Sequence, residues 1–511
     1  MGRIANSIRN TSYGAILQII TLIISFITRT LLIRYIGIEA LSINGLFSEV
    51  ITALSLAELG IGASIGFNLY KPLAENNKEK ICQLMNMYKT AYHTVAVITL
   101  FLGVILCPWI HCLVNTLNYS ISYIRLVYLL FVFQLASSYL FSYRMTLLNM
   151  DQKSFLVSKA TGVIRIIGSL IQIIIIPLTR NYIYYLVVVL AIGVITNIYC
   201  SYIAYRTYPY LNKLKVTPLP IDEQKNIFSN TKNIFIKAIS FRITNSTDNI
   251  LISTLVSTIL IGYYSNYALV FSVFRIIAAV LYSGICNSMG NMMATETNEK
   301  CERMFKNISY IFYILALISS VCTFSCITPF ITVWLGKDYL LDIRVVFVCC
   351  VCLFIELSLK GLWMTMEVSG LFSYDKYSSI AGAITNLLVS IVLGIKIGMA
   401  GIFIGTCCSY LIQVFFKGYY LYKTRWGMNP YPFYWSWIKQ ATLGVFLIIC
   451  FYHICNYIYI PNQVIQFIVN GSLSMFGTIL FVFLFTRKTE EFQYTLKLFY
   501  KTVLRKETSI N

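Results

Sequence analysis

Residues 463–486 read QVIQFIVNGSLSMFGTILFVFLFT, without one charged side chain, and Arg487 and Lys488 follow at once. A helix rises 1.5 Å per residue, so about 20 apolar residues cross the hydrocarbon core of a bilayer. A strand of this length would carry turn signals, and a soluble helix would carry a charged face. The stretch therefore reads as a helix that crosses a membrane and ends on a basic anchor.

The rest of the chain repeats the pattern. Fourteen apolar spans stand at about 12–36, 43–69, 84–108, 120–143, 155–178, 181–204, 234–260, 263–293, 307–335, 341–366, 377–397, 399–421, 434–459 and 463–486. Hydrophobic residues make up 58% of the 511 and charged residues only 12%, against about 25% charged in an ordinary soluble domain. A soluble fold this apolar could not cover its own surface with polar groups. The sequence thus predicts an all-α polytopic membrane protein with about 14 transmembrane helices. Arg3 and Arg9 precede an apolar stretch from Ser12 that resembles a secretion signal. It is too long, contains Arg29 and lacks a small-residue cleavage site, so an uncleaved first helix is expected.

Orientation follows from the basic residues, because cytoplasmic loops carry the excess of Lys and Arg. With the N-terminus inside, 27 basic residues fall on the cytoplasmic side and 6 outside, and 7 lie within spans. Both termini are expected in the cytoplasm and the chain in a bacterial inner membrane. The net charge of +20 comes in short clusters between apolar runs, with no basic domain to follow a phosphate backbone, so nucleic acid is not an expected partner. The lipid bilayer is.

The longest loop, at about 205–233, contains Pro209, Pro218 and Pro220. It suggests a first six-helix bundle over 1–204, a cytoplasmic linker over 205–233, a second six-helix bundle over 234–421, and two additional helices with a tail over 422–511. Leu31-Leu32-Ile33 and Asn44-Gly45-Leu46-Phe47 are faintly echoed by Ile250-Leu251-Ile252 and Tyr264-Ser265-Asn266-Tyr267. Duplicated halves are common in transporters.

No catalytic arrangement is present: there is no G-x-S-x-G, no phosphate-binding G-x-x-x-x-G-K-[ST] and no H-E-x-x-H. The fifteen cysteines form no C-x-x-C near histidines, so no disulfide framework, metal or cofactor is expected, and the chain reads as something other than an enzyme. Gly62 and Gly66 have the spacing that lets helices approach closely, and packing is their expected role.

Charge inside the membrane is costly and marks function. The cations weighed for function are Arg29, Arg165, Arg242, Arg275 and Lys360 within spans and Arg34 at a span end. Arg34 lies near an interface and Arg165 within reach of one. Arg29 and Arg275 are flanked by apolar residues on both sides. Guanidinium groups pair with phosphate in a bidentate geometry without losing their charge. Arg29, Arg242, Arg275 and Lys360 are therefore the candidate lining of a cationic cavity for an anionic substrate. The intramembrane acids are Glu49, Glu58, Asp248 and Glu356. Glu58, Asp248 and Glu356 are candidates for ion coupling. Glu356 and Lys360 are four residues apart, on one helical face, and an internal ion pair is the plainer reading of them.

Three stretches near the N-terminus carry a family resemblance. They are Gly37-Ile38-Glu39-Ala40-Leu41-Ser42-Ile43-Asn44-Gly45-Leu46-Phe47, Ser55-Leu56-Ala57-Glu58-Leu59-Gly60-Ile61-Gly62 and Leu69-Tyr70-Lys71-Pro72-Leu73-Ala74-Glu75. The succession resembles the bacterial oligosaccharide flippases, exporters of lipid-linked O-antigen and capsule repeat units. Their superfamily also holds the multidrug and toxin extrusion (MATE) antiporters. Ser42 stands where similar sequences commonly have glycine. The resemblance implies a MATE-like, V-shaped pair of six-helix bundles working by alternating access, here with two further C-terminal helices. It implies an undecaprenyl-diphosphate type of lipid-linked oligosaccharide as substrate, flipped to the outer leaflet for surface polysaccharide synthesis, and other polysaccharide-assembly proteins as partners. A cationic lumen in the family fits Arg29 and Arg275. Two other functions stay open: an ion-coupled small-molecule antiporter of the same fold, and a membrane polymerase or glycosyltransferase, which usually carries a larger outer loop than this chain has.

Overall fold

A computed structural model describes residues 2–55, 61–115, 119–151, 153–213, 218–225, 227 and 247–503. Among them there is no strand. The helices are α1 (Gly2–Tyr35), α2 (Ile38–Leu54), α3 (Ile61–Ala74), α4 (Lys78–Leu106), α5 (Ile121–Met150), α6 (Ser154–Thr179), α7 (Tyr182–Thr207), α8 (Asp248–Leu255) and α9 (Ile259–Thr295). Then come α10 (Asn298–Trp334), α11 (Ile343–Ser358), α12 (Lys360–Val368), α13 (Phe372–Ile397), α14 (Met399–Tyr420), α15 (Tyr431–Tyr457), α16 (Gln463–Thr486) and α17 (Glu490–Val503).

Twelve stretches among the described residues are long and apolar enough to cross a membrane. They coincide with every expected span except the second and the seventh. The second is represented by α2 and α3, on either side of 56–60. The seventh has its first half, 234–246, outside the described residues, and its second half is seen as α8 and the start of α9. The protein is a multi-pass membrane protein.

The contacts divide the chain into two units, Met1–Ser265 and Asn266–Asn511. In the first, α4 packs on α5, α5 on α7, and α6 on both α1 and α7. Tyr88 and Tyr92 of α4 meet Tyr139 and Tyr143 of α5 edge to face, the geometry that ring quadrupoles favour. Gly62 of α3 makes room for them. A Cβ there would lie 2.8 Å from the hydroxyls of both Tyr88 and Tyr92. Ser42 is part of another close approach, between α2 and the start of α9. Its hydroxyl lies 3.0 Å from the Ile38 carbonyl and 3.1 Å from that of Ile259, and it accepts from the Gly262 N–H at 3.1 Å. A Cβ on Gly262 would collide with the Ser42 oxygen. The serine in α2 is accommodated by a glycine across from it.

The second unit shows why α16 belongs in lipid. Its buried positions are Gln466, Asn470, Ser474, Thr478 and Val482, one every four residues. Its exposed positions include Ile468, Phe476, Leu480 and Phe485. The helix is inside out: polar inward, apolar outward. Without a hydrophobic drive between helices in lipid, hydrogen bonds and close packing join them. Gln466 Nε2 donates to Asn470 Oδ1 at 2.6 Å, and Asn470 Nδ2 donates to the Ser325 carbonyl of α10 at 2.9 Å. At the far end Tyr310 and Thr486 hydroxyls are 2.5 Å apart. Each such bond contributes about 0.6 kcal/mol in a bilayer.

The α13–α14 hairpin is the most closely joined pair of helices. Asn386 Nδ2 donates to Thr406 Oγ1 at 3.0 Å and Ser390 Oγ to the Ile402 carbonyl at 2.9 Å. Gly401 and Gly405 allow the contact, since a Cβ on either would meet backbone of Leu393 or Ser390.

Candidate functional site

Three of the residues singled out in the sequence meet in the second unit. Glu356 stands near the end of α11, Lys360 opens α12, and Arg275 comes from the middle of α9. Leu359 separates α11 from α12, but the Trp363 N–H still donates to the Leu359 carbonyl, so the span continues through the break. Close approach sets the position of Lys360. A Cβ on the next residue, Gly361, would lie 2.9 Å from the Ser309 Cα of α10, so only glycine allows α12 to come this near. Tyr282, two turns beyond Arg275 on α9, donates to Glu367 of α12 at 2.7 Å and fixes the two helices at a second point.

The geometry of the three charges is simple. Arg275 Nε donates to Glu356 Oε2 at 2.8 Å, and Lys360 Nζ to Glu356 Oε1 at 3.2 Å. Each carboxylate oxygen holds one cation, and the triad keeps a net positive charge. Glu356 is almost covered, at 11% side-chain exposure, but Arg275 is 40% and Lys360 21% exposed. The cations thus keep an open side that the carboxylate lacks. Charge left open in a membrane span requires water, a counter-ion or a ligand.

The Lys360 ammonium also lies 4.6 Å from the centre of the Trp363 ring, and Lys417 of α14 lies 5.7 Å from it. A cation over an indole face is attracted by its quadrupole. Tyr410 packs against Trp363 with ring centres 6.0 Å apart. Lys417 belongs to a second pair, with Asp375 of α13 at 2.5 Å, and the two side chains are only 7% and 6% exposed. Ser378 Oγ donates to the same Asp375 oxygen at 3.2 Å.

Sequence reasoning missed this second pair: Lys417 falls among the 27 basic residues assigned to the cytoplasmic side, and Asp375 is not among the intramembrane acids. A signal existed. Asp375 and Lys417, Asn386 and Thr406, and Ser390 and Ile402 are all symmetric about Lys396, as partners across an antiparallel helical hairpin must be. Trp363 was missed as well, although it stands three residues after Lys360, on the same face.

The other candidates lie in the first unit. Arg29 is half-buried in α1; its Nη1 is buried with no hydrogen-bond partner among the described residues, and Tyr185 of α7 interacts with it electrostatically. Asp248 is the first residue of α8 and half-buried. Its neighbour Asn249 donates to Glu49 of α2 at 3.4 Å. Arg242 and Glu58 lie outside the described residues.

Outside the spans, Asp342 caps α11, the helix that carries Glu356. Its Oδ1 accepts from the Arg344 N–H at 2.8 Å, and its Oδ2 from Arg344 Nη2 at 2.7 Å. The Arg344 side chain, and then its backbone N–H, hold the Asp342 carboxyl below the usual carboxylate range.

Twelve stretches among the described residues that are long and apolar enough to cross a membrane define an all-α polytopic membrane protein. Solved structures agree on the fold. "Lipid II flippase MurJ, inward closed conformation" is 14% identical, with a TM-score of 0.66, over 92% of this chain and 98% of that one. An inward-facing multidrug resistance MATE family transporter of the MOP superfamily is 14% identical, with a TM-score of 0.59, over 79% and 97%. A MOP superfamily transporter from Pyrococcus furiosus is 13% identical, with a TM-score of 0.54, over 81% and 94%. At these identities the likeness is one of fold. No curated protein matches the sequence. The model of the polysaccharide biosynthesis protein family matches residues 7–285, more than half of the chain, and the protein belongs to that family.

Proposed function

We propose that the protein carries polyprenyl-diphosphate-linked oligosaccharide repeat units across a bacterial inner membrane, from the cytoplasmic to the outer leaflet, by alternating access. The observation that carries this reading is the open cationic triad: two cations on one carboxylate, in membrane spans, each with an exposed side. Sugars and a diphosphate cannot enter hydrocarbon unaided. A polar path with fixed cations shields them while the lipid tail stays in the bilayer. Arg275 and Lys360 bind the diphosphate; in the first unit Arg29 has a buried nitrogen with no hydrogen-bond partner among the described residues and is a separate candidate for a phosphate. The family supports a place in polysaccharide synthesis, and one protein of similar fold is described as a lipid II flippase. A multidrug exporter for cations needs an accessible carboxylate; Glu356, bound by two cations, does not supply it, which leaves Glu49, Glu58 and Asp248 for that reading.

The test is made in cells that lack the chromosomal copy and carry wild type, Arg29→Ala or Arg275→Ala, with the amount of protein in membranes checked. Loss of surface polysaccharide in the variants, with lipid-linked repeat units building up in the cytoplasmic leaflet, is the expected result. Unchanged polysaccharide on deletion of the whole gene sinks the proposal.

A further inference from the structure

Glu356 is an odd neighbour for an anion site. If Arg275 and Lys360 exist to hold a diphosphate, a carboxylate already sits where the phosphate oxygens should be. It takes one donor from each cation at 2.8 and 3.2 Å. A carboxylate and one phosphoryl group present similar pairs of oxygens to a guanidinium. They cannot both occupy the Nε edge of Arg275.

We propose that Glu356 is a resident counter-anion that the substrate's diphosphate displaces from Arg275 and Lys360, and that it takes up a proton when displaced; this rests on the cationic-site reading given above. The exposures give the direction of the exchange. The cations keep their open side while Glu356 is buried, so a ligand reaches the cations without first passing the carboxylate. Among the described residues Glu356 has no other charged partner. The charged groups that face it are Arg275 from α9 and Lys360 from α12. Lys417, also near the Trp363 ring, is paired with Asp375. The nearby carboxylate of Glu367 is occupied by Tyr282. A buried carboxylate that loses both cations to a doubly charged anion becomes neutral rather than stay ionised. The proton comes from water, and one proton enters for each diphosphate bound.

The exchange serves release. A site of bare cations would hold a diphosphate too firmly for a carrier that must let it go. A built-in competitor weakens binding and refills the site once the substrate leaves. The apparent dissociation constant is the intrinsic one divided by the fraction of the protein in which the cations are free. Glu356 therefore determines how tightly the site binds, and does so by opposing the substrate. A purely structural Glu356, one that only holds Arg275 in place, makes the opposite prediction: its removal weakens binding.

The experiment uses the purified full chain in lipid nanodiscs. The probe is a diphosphate esterified with farnesyl at one end and methyl at the other, whose own charge is constant across the neutral range. Affinity is measured by calorimetry at several pH values, in buffers of different protonation enthalpy. Wild type is expected to bind more tightly as pH falls, approaching about tenfold per pH unit, with one proton taken up per probe. Glu356→Gln is expected to bind about tenfold more tightly than wild type at neutral pH, with no change on acidification. Equal or weaker binding by a folded Glu356→Gln protein overturns the proposal. So does wild-type binding without proton uptake, a result that needs no variant and leaves the anion site standing. Absence of binding at every pH, by both proteins, overturns the anion site itself and this inference with it.

Discussion

Two ionic clusters each bring a lysine to Trp363, and they differ in almost everything but their chemistry. Asp375 and Lys417 form a one-to-one pair, 2.5 Å apart and more than nine-tenths buried. Arg275, Glu356 and Lys360 hold two cations to one carboxylate, and the cations are 40% and 21% exposed. The first pair is neutral and closed, in the hairpin where Gly401, Gly405, Asn386 and Ser390 bring two helices into backbone contact. The second has a surplus charge and an open side, at the junction of α9 with α11–α12. Closure with balanced charge is what a fastener needs; opening with a surplus is what a binding site needs. A lone charge in a membrane span does not say which of the two it serves, and its stoichiometry and cover do.

Single substitutions should separate the clusters. The largest effect belongs to Lys417→Met, which strands a buried carboxylate; breaking one partner of such a pair costs about 3–5 kcal/mol. The protein should fail to give a single symmetric peak on gel filtration, and the double variant Asp375→Asn, Lys417→Met should recover most of the loss. A stable single variant would make the hairpin pair as dispensable as an exposed one. Next comes Gly405→Ala in the same hairpin. Its methyl group meets the Ser390 backbone, and overpacking of this kind costs about 1–3 kcal/mol, read as a lower midpoint of heat unfolding in detergent.

In the open cluster the stability effect should be smaller while the functional effect is larger. Arg275→Gln leaves Glu356 with Lys360, a neutral pair. The unfolding midpoint should move less than for Gly405→Ala, while diphosphate binding falls. A collapse of stability equal to that of Lys417→Met would place the triad with the fasteners. The smallest change is expected for Asp342→Asn. It removes a carboxylate 45% exposed beside an 83% exposed Arg344, but keeps an oxygen to cap α11. The loss should be no more than about 0.5 kcal/mol. Because Arg344 holds the folded-state carboxyl below its usual range, this small stabilisation is present above the ordinary carboxylate range and is lost as pH falls through the lowered value. The Asn variant should not show that loss, which a comparison of unfolding midpoints along an acid series checks.

The membrane body was legible from the sequence because the bilayer imposes a length and a polarity that local composition reports directly. Residues 463–486 show it without any partner in view. The Glu356–Lys360 pair was legible for a similar reason, since four residues on a helix are neighbours whatever surrounds them. Arg275 was legible as a candidate, but its partner was not. That contact joins α9 to α11, 81 residues away, and no local rule reports it. Asp375 and Lys417 stayed hidden for a different reason. Each stands within a turn or two of a span end, where a charge ordinarily reaches out to the interface, and only their mirror placement about Lys396 shows that they turn toward each other.

The most direct measurement is translocation by the purified protein in sealed liposomes, with a short polyprenyl-diphosphate oligosaccharide placed in one leaflet and its sugar reached only by an impermeant glycosidase on the other side. Wild type should deliver the sugar to the enzyme well above the rate of protein-free liposomes. Arg275→Gln should fall toward that background, and the Asp375→Asn, Lys417→Met double variant should remain active. If wild type is no faster than empty liposomes, or if Arg275→Gln is as fast as wild type, the open triad is not the site of transport.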